Sequence, residues 1–354
     1  MKTPFLLPAL FLFPITAFAG TSQHAIINGE AIDGDEFESA AALILQTEID
    51  GLGPITQVSC TATLIAPDVV LTAGHCVDEY PITFGFFELD ELTFCVSFEA
   101  DLSAMVDPAA NGNPDLPDDA VCSSGFVQHP DFSFEDLSGE VDGLVEFDDI
   151  ALVFLEEEIH DRAFSYLPDA AEAEAIVVDL EVDIVGYGQR DAEPQDPFGD
   201  PQEPLRYWAH TFVNEVAPTE MQIGDGPETG RKCHGDSGGP SFAEIGLRGA
   251  TFERVIGVTS HAYSAQEDCN RGGADTRVDA YLDWIEDAMI AACDDGLRSW
   301  CDEPGIPDPG EAIGDDDDDD GGDGCQDCSS EIAGGEAPLS VLALVALLGL
   351  RRRR

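Results

Sequence analysis

Nine residues, Lys232-Cys233-His234-Gly235-Asp236-Ser237-Gly238-Gly239-Pro240, constrain this chain more than any other stretch. A serine sits among glycines, with an aspartate before it and a proline closing the run. Glycine lets the backbone take positive φ and lets another backbone come close. A loop built this way can turn its amide N–H groups toward a substrate oxygen. Alone, it also reads as an ordinary turn. Two further stretches narrow the choice: Thr72-Ala73-Gly74-His75-Cys76, and Asp148-Asp149-Ile150-Ala151-Leu152. A serine hydroxyl is a poor nucleophile at neutral pH. It needs a base within hydrogen-bond reach, and the base needs a third group to hold its tautomer. Histidine, aspartate and serine follow one another here in one of the chain orders in which that constellation recurs.

With these three motifs in order, the chain resembles the trypsin-like (chymotrypsin-family) serine proteases. The resemblance covers Ile26 to about Cys293. It implies an all-β fold of two packed six-stranded antiparallel β-barrels with a C-terminal helix, the site lying between the barrels. It implies peptide-bond hydrolysis through an acyl-enzyme, with protein or peptide as substrate and no cofactor or metal. Ser237 is then the nucleophile, His75 the base and later the acid, and Asp149 the orienter. Asp149 is preferred over Asp148 because it directly precedes Ile150-Ala151-Leu152, and Asp148 is expected to face solvent. Gly235 and Ser237 match the oxyanion-hole donors, and Ser260 matches a serine that steadies the aspartate. Disulfides Cys60–Cys76 and Cys233–Cys269 also match the family.

Ile26-Ile27-Asn28-Gly29 looks like the family's mature N-terminus, where a freed isoleucine amine pairs with the aspartate before the nucleophile, here Asp236. A buried carboxylate needs such a partner. The preceding residue is Ala25, so the activating protease does not cut in the tryptic manner. The rival reading makes Ile26-Ile27 simply the start of a strand. Arg231, six residues before the nucleophile, stands where the family places the base of the P1 pocket, with His261, Ala262 and Gly273 as walls. A cation there repels cationic P1 side chains and favours acidic ones. If Arg231 instead turns outward, toward Asp225 or Glu228, a small apolar pocket remains.

Composition supplies the setting. The formal net charge is -57 and the only lysines are Lys2 and Lys232. This excludes nucleic-acid binding through a basic face. Met1 to Ala19 has the charged start, apolar stretch and Ala-x-Ala end of a secretory signal peptide, followed by a short propeptide over residues 20–25. Ten cysteines after such a start read as disulfides. Cys95 with Cys122 and Cys293 with Cys301 are paired by proximity. Residues 40–155 read as the first barrel, with a Pro/Asp/Asn-rich insertion near residues 101–121, and residues 159–278 as the second. Apolar spacing predicts a helix over residues 280–292. Residues 294–324 read as an acidic spacer. Residues 325–354 carry Cys325 and Cys328, a short apolar run and four arginines. They resemble cleaved C-terminal sorting signals of Gram-negative bacteria, of the myxobacterial type. That implies transient membrane contact and a secreted or surface-displayed product. The competing function is a catalytically silent binding module built on the same fold.

Overall fold

The computed structural model describes residues 26–308, except residues 33, 35, 50–52, 80–88, 107–112, 140, 189–202, 248–249 and 265–268. The signal peptide, the propeptide and the sorting tail lie outside the described residues, as do most of the 191–204 loop and part of the 101–121 insertion.

After a two-residue strand β1 (Glu30–Ala31), six strands make the first barrel. They are β2 (Ala40–Ile49), β3 (Gly53–Ala66), β4 (Val69–Thr72), β5 (Leu89–Ser97), β6 (Val121–Gln128) and β7 (Ala151–Leu155). They close antiparallel in the order β2-β3-β4-β7-β6-β5. The second barrel uses β8 (Glu181–Gly186), β9 (Tyr207–Val216), β10 (Glu220–Ile223), β11 (Pro240–Leu247), β12 (Ala250–Ala262) and β13 (Gly273–Arg277). Its order is β9-β10-β13-β12-β11-β8, and β8 pairs back with β9 to close it. Closure leaves no open sheet edge. Strand β1 adds to β9, with Glu30 opposite Trp208.

The local patterns explain the strands. In β9, Tyr207, Ala209, Thr211 and Val213 are buried while His210 and Phe212 face out, the period-2 signature of a half-buried strand. β4 and β7 are short and wholly buried, β7 apolar throughout and β4 apolar up to its last residue, Thr72. The first core holds Leu43, Leu64, Val70, Phe94, Leu152 and Phe154. The second holds Ile26, Val182, Ile184, Val213, Met221 and Ile256. Helix α2 (Leu282–Asp294) follows a short α1 (Phe134–Leu137) in chain order. It buries Ile285, Met289 and Ala292 against the first core. Its end is sealed by Gly296, whose φ of 73° admits the left-handed turn. All four expected disulfides form: Cys60–Cys76, Cys95–Cys122, Cys233–Cys269 and Cys293–Cys301.

The compact unit runs further than composition suggests. Residues 295–308, which by composition belong to the spacer, pack back on the barrel. The Arg298 guanidinium donates to Asp68 Oδ1 from Nε and Nη2 (3.1 and 2.8 Å), with both side chains 0 % exposed. The N–H groups of Ser299 and Trp300 donate to Asp68 Oδ2, and Ile306 N–H donates to Glu286. A segment rich in Pro and Asp is here tied down by one arginine and one disulfide.

Candidate active site

His75 sits in a single helical turn, Gly74–Cys76, at the end of β4, and Cys60–Cys76 staples that turn to β3. Asp149 lies just before β7, wholly buried. Its Oδ1 accepts from the His75 backbone N–H and its Oδ2 from His75 Nδ1, both at 2.8 Å. Ser260 Oγ donates to the same Oδ2 at 2.6 Å. Burial alone would push the Asp149 carboxyl up. The His75 charge and the bonds from His75 and Ser260 outweigh it and hold the group below the usual aspartate range. Asp149 is therefore ionised at neutral pH and fixes the tautomer with Nε2 turned outward. Asp148 does not simply face solvent. It is half-buried at φ 52° and accepts from the Tyr281 hydroxyl at 2.7 Å.

Ser237 comes from the loop before β11. Its carbonyl accepts from Thr61 N–H of β3 (2.8 Å), and the next residue, Gly238, donates to Thr259 of β12 (2.8 Å). One barrel thus grips the loop on each side. Gly238 has φ 78°, and a Cβ there would collide with Thr72 Oγ1, so only glycine fits. Gly235 has φ 91°. The His234 carbonyl oxygen lies 2.5 Å from where a Gly188 Cβ would be. That carbonyl points inward, so the trans peptide sends the Gly235 N–H the opposite way.

His75 and Ser237 share a cleft of about 540 Å³ whose lining also includes Lys232, Ser260, His261, Ala262 and Gly273. Residues of α1 and the turn after it, Phe134, Leu137 and Ser138, form a further wall. Arg231 is not part of that lining. Its chain pairs with Ile27, and its guanidinium turns away, donating to the carbonyls of Cys269 (2.8 Å), Thr229 (3.2 Å) and Gly226. Neither Asp225 nor Glu228 receives it in a hydrogen bond; Asp225 pairs with Arg271 instead. The cation at the cleft is Lys232. Its ammonium donates to Asp275 Oδ2 (2.8 Å), Ser241 Oγ (2.9 Å) and the Gly239 carbonyl (3.3 Å). Three N–H donors meet three acceptors, and Asp275 cancels the charge. Sequence reasoning missed Asp275, which sits in a strand with no motif around it.

Ile26 is wholly buried in the second core. Asp236, also fully buried, accepts from Gly188 N–H and Cys233 N–H, each at 2.8 Å. Burial pushes its carboxyl up to about 7, with the two N–H donors and Lys232 pulling the other way.

Two closed antiparallel barrels, four disulfides and a C-terminal helix define the fold class of the trypsin-like serine proteases. The Trypsin family profile matches residues 26–285, and the chain belongs to that family. It is 28% identical over 279 residues to phenoloxidase-activating factor 3 of Holotrichia diomphalia, covering 74% of this chain and 71% of that protein. It is 26% identical to CLIP domain-containing serine protease B15 of Anopheles gambiae, covering 65% of this chain and 61% of that protein. It is 27% identical to melanization protease 1 of Drosophila melanogaster, covering 66% and 58%. In the last two cases the match spans less than two thirds of the relative.

Proposed function

We propose that the chain is an exported serine endopeptidase cleaving after small or apolar residues. The observation that carries this is the buried, doubly bonded Asp149 behind His75, in the cleft that also holds Ser237. Ser237 Oγ attacks the scissile carbonyl and passes its proton to His75 Nε2. The oxyanion is met by the N–H groups of Gly235 and Ser237, each worth about 3 kcal/mol. His75 returns the proton to the leaving amine, and water releases the acyl group by the same steps.

The neutral preference follows from the cleft. Lys232 is saturated and neutralised by Asp275, and Arg231 points elsewhere. Among the described residues of the cleft, an acidic P1 group meets no free cation and a basic one no carboxylate that is not already paired, while Ala262 and Gly273 leave room. Release of the Ile26 amine by an activating protease supplies the cation that Asp236 lacks. Export through residues 1–19, and surface sorting with transient membrane contact through residues 325–354 in a Gram-negative bacterium, belong to the same proposal.

A peptide-library digest read by mass spectrometry, with the chain beginning at Ile26 beside its Ser237→Ala variant, tests it. Cuts after small or apolar residues that fall by at least roughly 10⁴-fold in the variant are expected. Dominant cuts after Asp, Glu, Lys or Arg would overturn the preference. No variant-sensitive cuts at all would favour a silent binding module.

A further inference from the structure

Two buried acceptor atoms face each other behind the cleft. His261 is the penultimate residue of β12, and its Nδ1 is 2.9 Å from the Ala262 carbonyl oxygen. A carbonyl only accepts, so Nδ1 carries a proton. The other ring nitrogen, Nε2, lies 3.4 Å from Glu220 Oε1 on β10. Among the described residues, neither atom has a hydrogen-bond partner of its own. The two side chains are 9 % and 2 % exposed. A neutral imidazole beside an ionised Glu220 would set lone pair against lone pair where water does not reach. A proton between them removes the conflict.

We propose that His261 and Glu220 hold this proton at neutral pH as an imidazolium–carboxylate pair, and that the pair positions the segment carrying Asp149. The proposal rests on the protease reading only for its catalytic consequence.

The segment needs such support. Residues 144–149 have no helix or strand and are held from the side. The second oxygen of Glu220 accepts from Val145 N–H at 2.6 Å. Gly143 N–H donates to the Tyr263 carbonyl, two residues past His261. The Phe147 ring meets the His261 ring edge-on, with centroids 5.3 Å apart. Ser260, the neighbour of His261, holds Asp149 itself. One ion pair thus ties β10 and β12 to the approach to Asp149. The ionisable groups around His261 are Glu220 from β10, Asp149 and Asp148 from the segment, His75 through Asp149, and Tyr281 through Asp148. Burial lowers the affinity of His261 for its proton. The Glu220 bond and charge, the Ala262 carbonyl and the Asp149 charge outweigh burial and raise it above the ordinary histidine range. A raised folded-state value means that the stabilisation is complete below the unfolded value and is lost as pH rises through the folded one.

Glu220→Gln separates this from a merely structural contact. The Gln amide can donate to a neutral Nε2 while its carbonyl keeps Val145, so the link no longer needs a proton. Three readouts from pH 5 to 10 are compared in the wild-type chain and this variant. They are the ¹⁵N shifts of His261, hydrogen exchange of residues 143–150, and hydrolysis of a small ester. In the wild type both His261 nitrogens are protonated at pH 7. Above the His261 titration, segment protection falls and kcat, rather than KM, declines tenfold per pH unit. In Glu220→Gln, His261 is neutral at pH 7 and both alkaline steps vanish. Glu220→Ala, lacking the link, exchanges faster at every pH. A neutral wild-type His261 at pH 7, or an unchanged exchange step in Glu220→Gln, overturns the proposal. Absence of ester hydrolysis with titration and protection as described would sink the protease reading and leave the pair upheld.

Discussion

At the scale of single residues, Asp236 makes a sharp demand. Its carboxyl sits at about 7 because burial outweighs two N–H donors and Lys232. A carboxyl raised above its unfolded value contributes stability below the unfolded value, near pH 4, and loses it as pH climbs toward 7. A tenfold change in proton affinity is worth about 1.4 kcal/mol, so the loss amounts to a few kcal/mol. A free Ile26 ammonium that pairs with Asp236 cancels most of it. Thermal melts of two Ser237→Ala chains, one with residues 20–25 and one beginning at Ile26, should diverge between pH 4 and 7, the shorter chain holding its stability. Parallel curves would mean that the amine never reaches Asp236. That His75, Asp149 and Ser237 come together at one cleft was legible in the sequence, because each sits in a short local motif. The pairs that shape the cleft were not. Lys232 finds Asp275 and His261 finds Glu220 only after strands distant in sequence are laid side by side. Arg231 and Lys232 are adjacent cations, and only the strand register decides which one faces the cleft.

At the scale of elements, the barrels and the last helix follow from periodicity. The predicted 280–292 helix appears as Leu282–Asp294, with Ile285, Met289 and Ala292 inward. Composition misplaces the segment after it, because composition averages over the one residue that matters. Arg298 is a lone arginine in an acidic stretch, yet it satisfies a fully buried Asp68 and also donates to the Pro304 carbonyl. Removing one partner of a buried pair leaves the other charge unsolvated, which costs about 3–5 kcal/mol. Arg298→Ala should lower urea-unfolding stability by that amount, whereas Arg298→Ala combined with Asp68→Asn should recover part of it. A single-variant loss under about 1 kcal/mol would show that residues 295–308 merely rest on the barrel.

At the scale of the whole molecule, charge is distributed unevenly between inside and outside. The sequence holds 15 Lys and Arg against 72 Asp and Glu. Arg206, Arg231, Lys232, Arg254 and Arg298 are all buried, most of them against carboxylates or carbonyls. Among the described residues most cations therefore serve the interior, and the surface carboxylates that outnumber the remaining ones repel one another. Screening reaches about 10 Å at 0.1 M salt and about 3 Å at 1 M. Surface repulsion should fade over that range, while the enclosed Lys232–Asp275 and Arg298–Asp68 pairs stay unscreened. The melting temperature of the described unit should thus rise steadily with NaCl from 0.01 to 1 M. CaCl₂ at equal ionic strength should do no more than its greater screening of carboxylates allows, without saturating at micromolar levels. A flat NaCl series would mean that the acidic groups lie too far apart, or too well hydrated, to oppose folding. A saturable calcium step would instead locate a cation site among them, for which the group His129, Asp131 and Asp148, within 4.8 Å of one another, is the first place to substitute.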